Sequence, residues 1–350
     1  MCHRLRMSLV TVVAVLSLIV TGVIYQTSEA AASGMTEVKR GSNGTALLVG
    51  GTSQPSGKET AHLVGMRSVP PGARWVAVQT TAQFAPVSGL QSYDDSKRDG
   101  ARRIVRAIKA TPGQKTLIVY SLSTVSADIA LRQLRREGYD TSNLTVVKVS
   151  NARRDGTTKG IETVFSTFAV PGITSGGAEA RTGVRTVDYC LQYDPVCDAP
   201  RAGSPPESYI NAVMCYFECH SNYGSRAMRG RSAVVEQRGN TTYVTYRNKA
   251  PLTARTGIYV PDSLERTGGA RPAVAPAEAS TPVQAVAPVT APVVQAPVYV
   301  PPQVQVPVVT QAQVQQVTQQ VVQAVPQAAP VVEAIASHPV VEGFLKGLPR

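Results

Sequence analysis

Histidine is scarce in this chain. There are four in 350 residues, and His3 and His338 lie near the ends, so imidazole chemistry in the body must use His62 or His220. Cysteine is sparse too, at five, and no two form a C-x-x-C pair, which counts against a zinc site. Phosphate-binding glycines are missing: Gly50 and Gly51 have no G-x-x-G after them, and Gly176 with Gly177 is an isolated turn. No nucleotide, flavin or other cofactor is therefore implied. Acidic residues fall short of basic ones, 23 against 35, for a formal net charge of +12. A basic surface favours a polyanionic neighbour. The Lys and Arg residues are scattered, with no Arg-rich helix carrying interleaved aromatics, which argues against nucleic acid and leaves anionic lipid or an acidic wall polymer.

What is present divides the chain into three. Residues 1–32 carry His3, Arg4 and Arg6, an apolar run from Met7 to Tyr25, then Ala30, Ala31 and Ala32. This is the pattern of a secretory signal peptide, or, given the length of the run, of an uncleaved N-terminal anchor. Either reading exports the chain to the cell envelope or beyond. Residues 269–350 are rich in Pro, Val, Ala and Gln, and dense proline forbids helix and central strand, so this is a disordered or polyproline II tail. Residues 40–268 remain as one folded body, large enough for a single core. Cys190, Cys197, Cys215 and Cys219 all fall within it. In an exported chain an even set of close cysteines reads as disulfides, with zinc on Cys215, Cys219 and His220 as the alternative.

The body alternates short β-branched runs with amphipathic stretches, which predicts βα units in an α/β fold: three layers around a mainly parallel sheet of five or more strands. Strands are expected at Thr45 to Val49, Trp75 to Val78, Thr116 to Tyr120, Thr145 to Val149 and Thr186 to Cys190. Thr241 to Tyr246 reads as an edge strand or surface hairpin. Ser92 followed by Asp95 opens a helix carrying Ile104, Val105 and Ile108 on one side, and a second helix runs from Thr124 to Glu137 and stops at Gly138. Phe165 to Gly183 is either a lid or a plain surface loop.

Leu117 to Thr124 (LIVYSLST) is a buried strand, then Ser121, then a helix start. That arrangement lifts a nucleophile into reach of backbone N–H groups, although Val119 and Ser123 stand where G-x-S-x-G has glycine. A serine there could equally be a helix N-cap. Downstream come Asp194, directly after a strand, and His220, late in the body, in the order Ser, Asp, His.

Here a family resemblance enters. Cys190-x-x-x-Asp194-x-x-Cys197, ending in Asp-Pro-Val-Cys, resembles the acid loop of cutinases, and His220 with Tyr223 resembles their His-x-x-Tyr. A longer stretch, about Ala46 to Leu252, is similar to the mycobacterial PE-PPE domain: Gly50-Gly51-Thr52, Ala82 to Gly89 (AQFAPVSG), Tyr93-Asp94-Asp95-Ser96, Tyr120-Ser121-x-Ser123, and Tyr193-Asp194 through Asp198-x-Pro200. The resemblance implies an α/β-hydrolase fold and a serine esterase acting on acyl esters, such as envelope lipids. It implies Ser121 as nucleophile, His220 as general base and Asp194 as the acid that orients it, with Asp198 the alternative acid. The oxyanion donors would be the N–H groups of Leu122 and Thr52, and no metal is called for. Disulfides are implied between Cys190 and Cys197, which bracket the acid, and between Cys215 and Cys219, which lead to His220. Val119 is expected to hold the following helix off the strand and slow the reaction; a catalytically weak or inactive surface binding module is the alternative function.

Overall fold

A computed structural model describes residues 34–264 apart from 86, 87 and 202. The signal or anchor assigned to residues 1–32 and the tail assigned to residues 269–350 lie outside the described residues. Among the described residues no helix is long and apolar enough to cross a membrane.

The β-branched runs form the centre of one eight-stranded sheet. In chain order its strands and the intervening elements are β1 (Met35–Lys39), β2 (Thr45–Val49), β3 (Arg74–Val78), α1 (Tyr93–Ala110), β4 (Lys115–Tyr120), α2 (Leu122–Arg136), β5 (Leu144–Val149), α3 (Ile161–Val164), the small hairpin β6 (Ala169–Val170) and β7 (Ile173–Thr174), β8 (Arg185–Leu191), α4 (Pro206–Glu218), β9 (Ala233–Arg238), β10 (Thr241–Tyr246) and α5 (Pro251–Thr256). The sheet order is β1-β3-β2-β4-β5-β8-β10-β9. Pairing is parallel from β3 through to β10 and antiparallel only at the two outer pairs, β1 with β3 and β9 with β10. This mainly parallel three-layer arrangement is the α/β-hydrolase fold.

Both faces of the central strands are covered, and side chains alternate between them with period two. Leu47, Val49, Leu117, Val119 and Val146 share one apolar cluster with Ile104 and Ile108 of α1 and Ala127, Ala130 and Leu134 of α2. Leu48, Ile118, Tyr120, Val147 and Val149 face the other way, into a cluster with Leu63, Val64, Tyr223 and Met228. Ser92 caps α1 by accepting from the Asp95 amide at 3.1 Å while its hydroxyl donates to the Asp95 carboxylate at 2.7 Å. Gly138 stands at φ 66° just past the end of α2, as the helix-stop reading required.

Two strands of the eight-stranded sheet escape the sequence reading, as does the small β6–β7 hairpin. β1 and β9 are outer strands that mix charged with apolar side chains, and β1 lies ahead of the expected boundary at residue 40. Because β9 takes the edge, Thr241–Tyr246 is an interior strand, bonded on both sides, as well as one arm of a hairpin.

Past α2 the helical face of the sheet changes character. Lys148 on β5 and Asp188 on β8 are register neighbours, both buried. Lys148 pairs with Asp128 of α2 at 2.5 Å and with Glu179, and Arg154 pairs with Asp188. Arg153 holds the carbonyls of Gly176, Gly177 and Ala178 at 2.6–3.0 Å. The Phe165 to Gly183 segment is thereby strapped to the sheet as a surface connection. Asp188 is pushed up to about 6 by burial, against the pull of Arg154.

Candidate active site

The three sequence-ordered groups come together at the carboxyl ends of β4, β5 and β8. Ser121 leaves β4 at φ 54°, ψ −121°, a conformation rare for a side-chain-bearing residue. Its amide donates to the Val149 carbonyl at 3.0 Å and its carbonyl accepts from the Thr124 amide at 2.9 Å, which fixes the turn from strand to helix. Ser121 holds the N-cap position of α2, yet its hydroxyl makes no capping bond. It lies instead 2.9 Å from Nε2 of His220.

The turn closes without the two glycines. Ser123 Oγ accepts from the Tyr120 amide at 2.8 Å and sits within donating distance of the Val49 and Tyr120 carbonyls, at 3.1 and 3.0 Å. Val119 is fully buried in the α1/α2 cluster, where α2 presents Ala127 and Ala130. The helix begins at Leu122, immediately after Ser121. The close approach has moved to Gly51: a Cβ there would lie 2.9 Å from both Ser121 Cβ and Tyr120 Cδ1.

His220 is placed by the end of α4. Cys215 and Cys219 are disulfide-bonded, which removes them as zinc ligands, and the His220 amide donates to the Cys215 carbonyl at 3.0 Å. The imidazole stacks near-parallel with Tyr216 (centroids 5.0 Å, 13°) and Tyr120 (5.1 Å, 24°). Its Nδ1 faces both carboxylate oxygens of Asp194 at 3.1 Å. His62, the other body histidine, is exposed on the turn Lys58–His62.

Asp194 is fully buried in the turn that the Cys190–Cys197 disulfide closes. Its Oδ2 accepts from Ser150 and Tyr223, each at 2.6 Å, and its Oδ1 from the Val196 amide at 3.0 Å. Burial alone would raise its pKa. The adjacent His220 and the hydroxyls of Ser150 and Tyr223 outweigh that and hold it below the ordinary value. Burial, with the same carboxylate adding to it, pushes Tyr216 up to about 12. Asp198 accepts from the Tyr193 amide at 2.7 Å and from Ser263 at 2.5 Å, bonds that tie its own loop.

Leu122 follows Ser121 at the open N-terminus of α2, where amide N–H groups lack intrahelical partners. Thr52 follows Gly51, where an added Cβ would lie 2.9 Å from Ser121 Cβ. Among the described residues, five non-glycine positions have positive φ: Ser53, Ala82, Ser121, Ser150 and Tyr193. All belong to this site's loops: Ser53 donates to the Ala82 carbonyl at 2.8 Å beside Thr52, and Tyr193 adjoins Asp194. Backbone strain gathered at one place is a mark of a functional site. Sequence reasoning did not single out Ser150, Tyr216 or the stacking role of Tyr120. The first had a signal, since a serine follows β5 directly, as Ser121 follows β4.

Residues 71–262 match the PE-PPE domain family. The chain is similar to the PPE family protein PPE42 of Mycobacterium tuberculosis (strain CDC 1551 / Oshkosh), 32% identical over 197 residues, covering 51% of this chain and 33% of that protein. It is also similar to PPE28 of Mycobacterium tuberculosis (strain ATCC 25618 / H37Rv), 28% identical over 190 residues, covering 51% of this chain and 29% of that protein. The chain thus spans about a third of the length of these curated relatives. Among solved structures, a cutinase-like protein from Cryptococcus sp. is 17% identical with a TM-score of 0.32, covering 58% of this chain and 98% of that one. Lipase B of Aspergillus fumigatus is 12% identical with a TM-score of 0.33, covering 59% and 65%.

Proposed function

Since the chain belongs to the PE-PPE domain family, we propose that it is a serine esterase that hydrolyses acyl esters through an acyl-enzyme on Ser121. The observation that carries this reading is the relay from Ser121 Oγ to His220 Nε2 at 2.9 Å and from His220 Nδ1 to Asp194 at 3.1 Å. With Nδ1–H held by the carboxylate, the Nε2 lone pair faces the hydroxyl, as a general base requires.

In the reaction, Ser121 Oγ forms a bond to the ester carbonyl carbon as Nε2 takes its proton. The resulting oxyanion accepts from the Leu122 and Thr52 amides, and Asp194 stabilises the imidazolium. Collapse breaks the bond to the alcohol, which leaves with the proton from Nε2. Water then repeats the attack on the acyl carbon, and the acid departs from a restored Ser121.

The substrates proposed are acyl lipids of a cell envelope, met by an exported protein with a basic surface. The two disulfides are compatible with that location. A catalytically weak or inactive surface binding module is the alternative, and the Ser121–His220–Asp194 relay is what favours the esterase over it. Turnover of short p-nitrophenyl esters by the wild-type protein, abolished in Ser121→Ala, tests the reading. Equal turnover by both proteins would remove Ser121 as the nucleophile.

A further inference from the structure

Ser150 repeats, one strand along, the geometry of the nucleophile. Ser121 leaves β4 and Ser150 leaves β5, each at φ 54°. Each donates its amide to the next strand over, Ser121 to the Val149 carbonyl at 3.0 Å and Ser150 to the Tyr189 carbonyl at 2.8 Å. The first turn presents a hydroxyl to Nε2 of His220. The second presents a hydroxyl to the far side of the same ring.

Ser150 is fully buried, and its Oγ lies 2.6 Å from Asp194 Oδ2 and 3.1 Å from His220 Nδ1. A serine hydroxyl has one proton to give. An ionised carboxylate at 2.6 Å takes it, since that bond is charge-assisted, and Nδ1–H then meets a hydroxyl lone pair as well as the two carboxylate oxygens. The side chain both donates to the acid and accepts from the base, so it ties the two to each other. A non-glycine residue at this φ is strained, and glycine would occupy the turn without strain.

We propose that Ser150 is a positioning residue of the reaction, holding the Asp194 carboxylate and the His220 ring so that Nδ1 carries the proton and Nε2 faces Ser121. It touches neither substrate nor the reacting atoms. The proposal rests on the esterase reading given above, and Tyr223, which also donates to Oδ2, shares the anchoring of the acid.

The test uses the full chain carrying Ser150→Gly, which removes the hydroxyl and relieves the turn. It has two readings: kcat and KM on a short p-nitrophenyl ester, and the far-downfield proton NMR resonance of His220 Nδ1–H. Loss of a hydrogen bond to a charged group corresponds to a fall in kcat of about ten- to hundredfold, with KM within about twofold. The Nδ1–H resonance should shift upfield or broaden into solvent exchange. Ser150→Ala, which keeps the β-carbon, repeats both readings should the glycine variant fail to fold. Wild-type kcat, or an unchanged Nδ1–H resonance, overturns the proposal, because a residue needed only for its turn is replaced by glycine without loss. If the wild type neither turns over ester nor reacts at Ser121, the esterase reading is what fails. The resonance alone then decides whether Ser150 orients the His220–Asp194 pair.

Discussion

Tyr120 holds His220 twice: its ring stacks on the imidazole at 5.1 Å, and its hydroxyl donates to the His220 backbone carbonyl at 2.5 Å. The residue before Ser121 therefore fixes the imidazole that faces the Ser121 hydroxyl, across 100 positions of sequence. Tyr120→Phe keeps the ring and leaves a buried carbonyl unpaired. The expected result is a loss of about 1–3 kcal/mol of stability in denaturant titration, with a several-fold fall in kcat. Unchanged stability would show that the hydroxyl contributes nothing to the placement of His220.

Val119→Gly separates the two accounts of the elbow. From the motif alone, glycine at this place should speed the reaction; from the structure, Val119 fills core under α2 and the turn already closes. Removing its three side-chain carbons costs about 0.8 kcal/mol each, and glycine in a strand adds about 0.5–1, roughly 3 kcal/mol in all. Thermal or urea unfolding should register that loss, with no gain in kcat for the protein that remains folded.

Gly51→Ala moves the steric argument to where the structure puts it. The new methyl would lie 2.9 Å from Ser121 Cβ, closer than real contacts allow, and must push Ser121 or the Thr52 loop aside. A displacement near 1 Å costs about a hundredfold in rate. Assay of kcat beside a melting curve checks this: a large kinetic loss in a protein that still melts cooperatively is expected.

Acid should weaken the folded state through Asp194. Its folded pKa is depressed below the ordinary 3.8, so its contribution to stability is present above that value and is lost as pH falls through the lower, folded one. Asp194→Asn should accordingly be less stable than wild type at neutral pH. The gap in urea midpoint should narrow once the pH drops below about 3.8. A gap that is constant with pH would mean the carboxylate's charge is not what the site binds.

The parts of the molecule that the sequence discloses are those set by local pattern. ALLV of β2 and LIVY of β4 are continuous apolar runs because both their faces are buried, and Ser92 with Asp95 caps α1 through bonds three residues apart. Ser121, Asp194 and His220 are readable because chain order and the bracketing cysteines mark them. β1 and β9 were not, since an outer strand keeps few of the apolar positions that give a strand its signature. The tight approach at Gly51 is not legible in the sequence, because Gly51 lies 70 residues upstream of Ser121 and meets it only through the pairing of β2 with β4. Ser150 bonds Asp194 over 44 residues, and no spacing rule marks a contact that arises where the ends of β5 and β8 meet.

The most direct test of the whole account is reaction of the wild-type protein with a fluorophosphonate, followed by peptide mapping of the adduct. Such a probe needs an activated hydroxyl, a base and an oxyanion site at once. One adduct per chain is expected, on Ser121, lost in Ser121→Ala and strongly slowed in His220→Ala. An unlabelled wild-type protein, or an adduct on any other residue, would contradict it.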